Sequence, residues 1–496
     1  MNHISRREFL FGAAVFGLGG WRLFAAPPGW KHGGKPNLVF GVVSDTHLRT
    51  AWNGKSVDRN YTDKYFLAAL QYFKRRKVDA VMHLGDMANN GQVEAMQFHA
   101  DAWREVFPDD RGADGRKVER LFINGNHDVE GFKYTKFIEQ LIKDPTEREK
   151  HLLVTDMAAN WERIWGEPYE EVWHKVVKGY HFYGRHWGTN QTWGAIDAKM
   201  ARLVKADGER LGFLGEKKPV FLLSHRLQGR WLRKYLRSLS NGVGFFGHCH
   251  FSSSNWNTIY LNENAGETFP YVQCPACHSS RGEAFPGRVC ASKVAIEGGD
   301  WKRWMSRQGF VVRVYDDMLV IERHEFDKGV ASLGADWVMP LNWGMGNGEW
   351  GTAKHPFSKD ELKKVIGNPQ FREGAKLEVG FVSHKEQKKQ EVELTSDSPV
   401  SSCALWLKIP LADGNPDSRV YAYEVVVAGD EGTPKLHKAV YAAGCNMGVG
   451  REPDGGVTTL EIPKSELPSG KTLTIAARPL TSLGTFGKAI ATEFKV

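Results

Sequence analysis

The 496-residue sequence has no second apolar stretch to rival a short one near its start, and none of its apolar runs reaches the eighteen or so residues a transmembrane helix needs. A chain without a transmembrane helix is expected. Cysteine is scarce, at 6 residues, so a disulfide-dense mini-fold is excluded. Blocks of five or six like charges are also missing, and with 66 basic against 58 acidic residues the net charge of +8 suggests mild attraction to anions, not a nucleic-acid arm. No internal repeat and no low-complexity tract occurs. What is present is ordinary globular composition, 41% hydrophobic and 25% charged, with 53 Gly and 21 Pro, in a chain long enough for two or three folded units.

The chain opens with Ser5-Arg6-Arg7-Glu8-Phe9-Leu10, a glycine-rich apolar stretch to Gly20, and small residues at Ala25 and Ala26. This pattern is that of a twin-arginine export signal over residues 1–26, which predicts a periplasmic or extracellular protein. Arg22 interrupts the stretch before the expected cut, so a short amphipathic anchor that stays attached is the alternative. In an oxidising compartment Cys249, Cys274, Cys277, Cys290, Cys403 and Cys445 could form up to three bridges. The run Cys274-Pro275-Ala276-Cys277-His278 also matches the spacing of covalent haem attachment. Nothing around it resembles a cytochrome, so a bridge, or a loop without chemistry, is the better expectation.

From residue 37 to 335 short apolar runs alternate with amphipathic stretches, the pattern of an α/β domain. Residues 38–44, 78–84, 121–124, 220–224 and 242–246 are predicted strands, while 61–76, 93–106 and 226–239 are predicted helices. Residues 310–314 and 318–323 resemble a hairpin. Residues 336–372, broken by glycine, proline and asparagine, are expected to be a linker or strap. Residues 373–496 carry repeated short strand-like runs between turn clusters such as Asp413-Gly414-Asn415-Pro416, which predicts an all-β sandwich.

Hard donors follow the apolar runs, where α/β sheets usually build their ligand sites. In order they are Asp45-Thr46-His47, Gly85-Asp86, Gly125-Asn126-His127-Asp128, Ser224-His225 and Gly247-His248-Cys249-His250. With 53 Gly and 18 His, a Gly-His-x-His match is expected by chance about 0.07 times, so one alone is only mildly informative. Five in order are not chance. Three carboxylate or carboxamide oxygens and four imidazoles suffice for two divalent cations if one carboxylate, most naturally Asp86, bridges them. Without thiolates, the set points to a catalytic pair of Mn, Fe or Zn, whose bridging water would attack phosphorus.

This set resembles the calcineurin-like metallophosphoesterase family, over about residues 37–330. The resemblance implies a four-layer α+β sandwich, two packed mixed sheets flanked by helices. It implies that one cation takes Asp45, His47, Asp86 and His250, and the other Asp86, Asn126, His225 and His248. His127 would then stabilise the transition state or protonate the leaving oxygen. His225 is preferred over His151, His174, His181 and His186 because it directly ends a strand-like run. His83 is expected to be a satisfied core residue, and Asp128 either an orienting partner or a loop cap.

Where purple acid phosphatases carry a tyrosine, this chain has Asn89, so a tyrosinate-iron site is not expected. The run Asn89-Asn90-Gly91 also lacks the Asp and Arg of protein Ser/Thr phosphatases, which leaves His127 without an evident carboxylate partner. Asn89, Arg49 and Arg226 are candidate substrate contacts. The insertions 129–179 and 262–307, with their Trp, His, Lys and Arg, either select substrate or cover the domain edge. The expected activity is hydrolysis of phosphate mono- or diesters. The alternative is an exported binding or adhesion protein with a degenerate metal site and a glycan- or partner-binding sandwich.

Overall fold

A computed structural model of the chain describes residues 24–26, 34–48, 63–134, 137–188, 193–213, 218–227, 236, 239, 241–253, 258–260, 270–280, 296–297, 306–316, 318–327, 329–333, 336–340, 368–384, 402–413, 420–445, 447, 451, 453–481 and 485–496. The strands of the N-terminal part are β1 (Phe24–Ala26), β2 (Leu38–Val43), β3 (Ala80–Leu84), β4 (Glu119–Ile123), β5 (Val172–Val177), β6 (Tyr180–Arg185), β7 (Val220–Ser224), β8 (Gly242–Phe246), β9 (Ile259–Tyr260), β10 (Tyr271–Gln273), β11 (Ile296–Glu297), β12 (Gln308–Val314), β13 (Met318–Glu325), β14 (Ala331–Ser332) and β15 (Asp336–Pro340). The helices are α1 (Asp63–Arg75), α2 (Val93–Val106), α3 (Asn126–Tyr134), α4 (Phe137–Leu141), α5 (Pro145–Lys150), α6 (Met157–Trp165) and α7 (Trp193–Leu211).

Two mixed sheets result. The first runs β1-β15-β13-β12-β2-β3-β4, with β14 on β13. The second runs β5-β6-β7-β8-β10-β9. Strands β2, β3 and β4 are parallel to one another, as are β6, β7, β8 and β10. These parallel strands are buried on both faces, which is why β3, β7 and β8 are apolar almost throughout.

The sheets pack face to face. Phe40 of β2 sets its ring edge-on to Phe182, Phe221 and Phe245 at 5.7, 5.2 and 5.9 Å between centroids. Each such buried aromatic contributes about 1.5–3 kcal/mol of transfer free energy. On the outer face of the first sheet, Phe66 and Phe73 of α1 and Met96 and Trp103 of α2 build a second core. On the outer face of the second, Ile196, Met200 and Val204 of α7 build another. The order is therefore helices, sheet, sheet, helices: a mixed α/β architecture of the calcineurin-like kind.

The C-terminal region is β-rich. Its strands are β16 (Gln370–Phe371), β17 (Glu378–His384), β18 (Ser402–Ile409), β19 (Ala412–Asp413), β20 (Val420–Ala428), β21 (Leu436–Tyr441), β22 (Thr458–Pro463), β23 (Thr472–Thr481) and β24 (Ile490–Lys495). The sheet β17-β18-β22 and the sheet β11-β21-β20-β23-β24 enclose one core, with Leu405, Leu407 and Ile462 on one side and Val425, Val427 and Ile475 on the other.

Several sequence expectations need correcting. Residues 336–340, expected in the linker, form β15, because Trp337 and Met339 alternate inward and are buried in the first sheet's core. Residues 341–367 and most of 226–239 lie outside the described residues, as do residues 1–23 of the expected leader; its last residues, Phe24–Ala26, pair antiparallel with Asp336–Val338. Instead of as many as three bridges, Cys249, Cys274, Cys277 and Cys445 are free thiols. Cys274 and Cys277 of the haem-like run are buried in two different cores, and burial pushes the Cys277 thiol up to about 12. They pack as small neutral hydrophobes. Trp161, Trp165 and Trp173 of the 129–179 insertion are likewise buried in the core, so they are structural, not substrate-facing.

Candidate functional site

The C-terminal ends of β2, β3, β4, β7, β8 and β10 open onto one edge of the two packed sheets, and the donors named above follow five of them. Among the described residues nine non-glycine residues have positive φ, and five of these are Asp45 (51°), His47 (45°), Asp86 (56°), His248 (69°) and His250 (55°). The left-handed region disfavours most side chains. Its concentration here shows a backbone bent to aim donors inward. Two glycines are dictated by crowding. A Cβ on Gly125 would fall 2.2 Å from Asp86 Oδ1, and one on Gly247 would fall 1.9 Å from Ser44 Oγ and 2.6 Å from Asp45 Oδ2.

The seven side chains meet in two overlapping groups. In one, His250 Nε2 lies 3.1 Å and His47 Nε2 3.7 Å from Asp45 Oδ1, and the two Nε2 atoms face each other at 3.0 Å. In the other, Asn126 Oδ1 lies 3.0 Å from His225 Nε2 and 2.9 Å from His248 Nδ1. Asp86 joins them, with Oδ2 at 3.5 Å from His47 Nε2 and 3.1 Å from His225 Nε2. Asp45, Asp86 and His225 are almost wholly buried. None of His151, His174, His181 and His186 joins either group: His151 pairs with Glu94, His174 with His181 and Asp207, and His186 accepts from the Asn124 amide.

The donor chemistry fits cations. His225 Nδ1 donates to the Leu84 carbonyl at 2.7 Å, so in the neutral ring Nε2 is a lone pair, and it faces two more acceptors, Asp86 Oδ2 and Asn126 Oδ1. Burial pulls the His225 pKa down, but the Asp86 carboxylate beside it lifts it to about 9. Some positive charge is needed there. Asp45 Oδ1 is buried and makes no hydrogen bond, with ring nitrogens around it instead. An orphaned carboxylate oxygen and converging lone pairs are what a divalent cation would satisfy.

Supporting contacts fix the loops. Asp128 accepts from the Ala88, Met87 and Gly125 amides at 2.7, 3.2 and 2.8 Å, and so ties the β3 loop to the start of α3. All three bonds come from backbone amides, which is the loop-cap reading. His83 is the satisfied core histidine expected: Gly85 N donates to its Nδ1, and Nε2 then donates to Thr46 Oγ1, which passes a bond on to His99 Nε2.

His127 stands at the rim of both groups, half-buried, its ring 4.6 Å from that of His47. The missing carboxylate partner is replaced by backbone: His127 Nδ1 donates to the Asn89 carbonyl at 2.7 Å. The Asn89 side chain itself donates to Asn90. Arg226 is exposed just beyond His225, and Arg49 lies outside the described residues. Two residues that the sequence did not assign to the site also line it. Trp187 packs 5.8 Å from His225 and 6.1 Å from His248, and His278 packs 5.8 Å from His47. Trp187 follows no motif, and His278 ends the Cys-x-x-Cys-His run, whose haem-like spacing gave no hint of this site.

Solved structures similar to this chain include a dimetal phosphatase from Danio rerio, 12% identical, with a TM-score of 0.33, covering 62% of this chain and 100% of that one. A purple acid phosphatase from yellow lupin seeds is 13% identical, with a TM-score of 0.37, and the match covers 59% of this chain and 53% of that one. Vps29 complexed with zinc from Entamoeba histolytica is 10% identical, with a TM-score of 0.27, covering 62% and 100%. Scores this low carry nothing about substrate. A search of curated proteins finds no significant match. The family model of calcineurin-like phosphoesterases matches residues 38–250, a span that begins with β2, ends at His250 and contains every residue of the two donor groups.

Proposed function

We propose that this chain is an exported, metal-dependent phosphoester hydrolase. The observation that supports it most strongly is the convergence of three overlapping donor sets, Asp45 with His47 and His250, His47 with Asp86 and His127, and Asp86 with His225 and His248, in which Asp86 belongs to two. Asp45, His47, Asp86 and His250 would hold one divalent cation, and Asp86, Asn126, His225 and His248 the other. Bound there, Mn, Fe or Zn would supply Lewis acidity toward phosphate oxygens and lower the pKa of water.

The chain's own residues do the rest. Asp86, whose Oδ1 accepts the His127 amide at 2.8 Å, fixes the start of α3 against the shared carboxylate. The Asn89 carbonyl holds a proton on His127 Nδ1, so Nε2 is the ring atom that would take a proton and, as the imidazolium, donate it to a departing alkoxide. Arg226, exposed beside His225, and the Asn89 loop would contact the phosphate or its substituent. Buried Trp187 packs against His225 and His248 on the Asn126 side of the site.

The test is hydrolysis of an aryl phosphate monoester and a diester by the full chain with added Mn²⁺. Activity toward either, abolished in Asp86→Asn, supports the proposal. A folded wild type that binds no metal and hydrolyses neither ester would contradict it and favour the exported binding module.

A further inference from the structure

The segment after β10, residues 274–280, belongs to none of the five motifs, yet it lies against the site along its length. Cys277 N donates to the Ser44 carbonyl at 2.8 Å and His278 N to the Asp45 carbonyl at 3.0 Å. Ser279 Oγ lies 3.3 Å from His250 Nδ1, and Ser279 is buried. The segment is itself pinned. Cys274 is buried between the two sheets and Cys277 in the outer core; Gln308 N donates to the Ala276 carbonyl at 3.1 Å, and Ser280 exchanges backbone bonds with Ser306.

Cys277, His278 and Ser279 contact the site on one side, at Ser44, Asp45, His47 and His250. On the other side, His225 is oriented by the Leu84 carbonyl, which no side-chain substitution removes. His250 is oriented by a hydroxyl. Were Nε2, which is turned to Asp45, to ligate a cation, the His250 ring would carry its proton on Nδ1, and Ser279 Oγ is the acceptor within reach at 3.3 Å. Such partners of ligating histidines fix ring orientation and raise ligand basicity.

Resting on the metal-site reading above, we infer that residues 274–280 form a sixth loop of the site, in which Ser279 is a positioning residue that tunes one of the two cation sites, the one built on Asp45, His47 and His250. The Cys-x-x-Cys-His run then has a use without haem: two buried thiols anchor the loop that carries Ser279.

The test is titration of the metal-stripped full chain with Mn²⁺ alone, with the free ion read by electron paramagnetic resonance. The wild type should take up two ions, and Ser279→Ala should keep one site unchanged and weaken the other about tenfold. Ser279→Thr, which keeps the hydroxyl, should bind as the wild type does. Should alanine prevent folding, Ser279→Val against Ser279→Thr makes the same comparison at equal shape. Unchanged affinity at both sites in Ser279→Ala, or equal weakening of both, overturns the inference while leaving the metal-site reading intact. A folded wild type that takes up no Mn²⁺ overturns that reading, and this inference with it.

Discussion

At the scale of single residues, chemistry and crowding are closely bound. The His127 amide donates to the shared Asp86 carboxylate, and its ring donates from Nδ1 to the Asn89 carbonyl. His127→Ala should therefore lower turnover by about 10²- to 10⁴-fold while the cation content stays at the wild-type level, checked by steady-state kinetics beside elemental analysis. Gly247 behaves differently. Its missing Cβ leaves room for Ser44 and Asp45, so Gly247→Ala should displace Asp45 and lose bound cation along with activity. The seven donors were legible in the sequence because Asp, Asn and His directly follow apolar runs. The partner of His127 was not, since a backbone carbonyl has no letter of its own, and the substitution pattern at Asn89-Asn90-Gly91 shows only that a carboxylate is missing.

At the scale of elements, the loops depend on ties between strand ends. Asp128 accepts three amide protons from two loops. Asp128→Ala leaves buried donors unmet at roughly 1–3 kcal/mol each, so a loss of about 3 kcal/mol or more in unfolding free energy is expected in a denaturant titration. Elements with unbroken apolar runs were readable: β7 and β8 occupy the residues their composition predicted, and α1 and α2 follow their apolar spacing. The hairpin β5–β6 was not. Its first strand, VWHKVV, leaves His174 and Lys175 half-exposed, and its turn is Lys178-Gly179, both with positive φ, in place of a stronger Asn-Gly signal. Helix α7 escaped notice for a related reason, having internal Gly194 and Gly208 and a long polar face.

At the scale of the whole molecule, the N- and C-terminal parts touch. β11 pairs with β21, and Arg451 reaches Glu325 at 3.4 Å and the Gly329 carbonyl at 3.1 Å. This contact crosses the sequence boundary that composition alone suggested, because β11 sits in the insertion of one part and completes a sheet of the other. Folding as a whole is also linked to protons. His186, fully buried and accepting the Asn124 amide, is pushed down to about 3 by burial. Its pKa in the unfolded chain is about 6.5, so the unfolded state binds the extra proton and stability falls as pH drops below that value. Between pH 7.5 and 5 this one group should remove about 2 kcal/mol. His186→Gln should flatten the pH dependence of the urea midpoint by that amount, and an unchanged slope would show the ring is not buried neutral.

The most direct measurement is the number of cations held by the folded chain after saturation with Mn²⁺ and desalting. Two per wild-type chain, with the pair lost in Asp86→Asn, is the result expected from one carboxylate shared by two groups of donors. A folded wild-type chain that retains no cation, or an Asp86→Asn chain that still retains two, would contradict it.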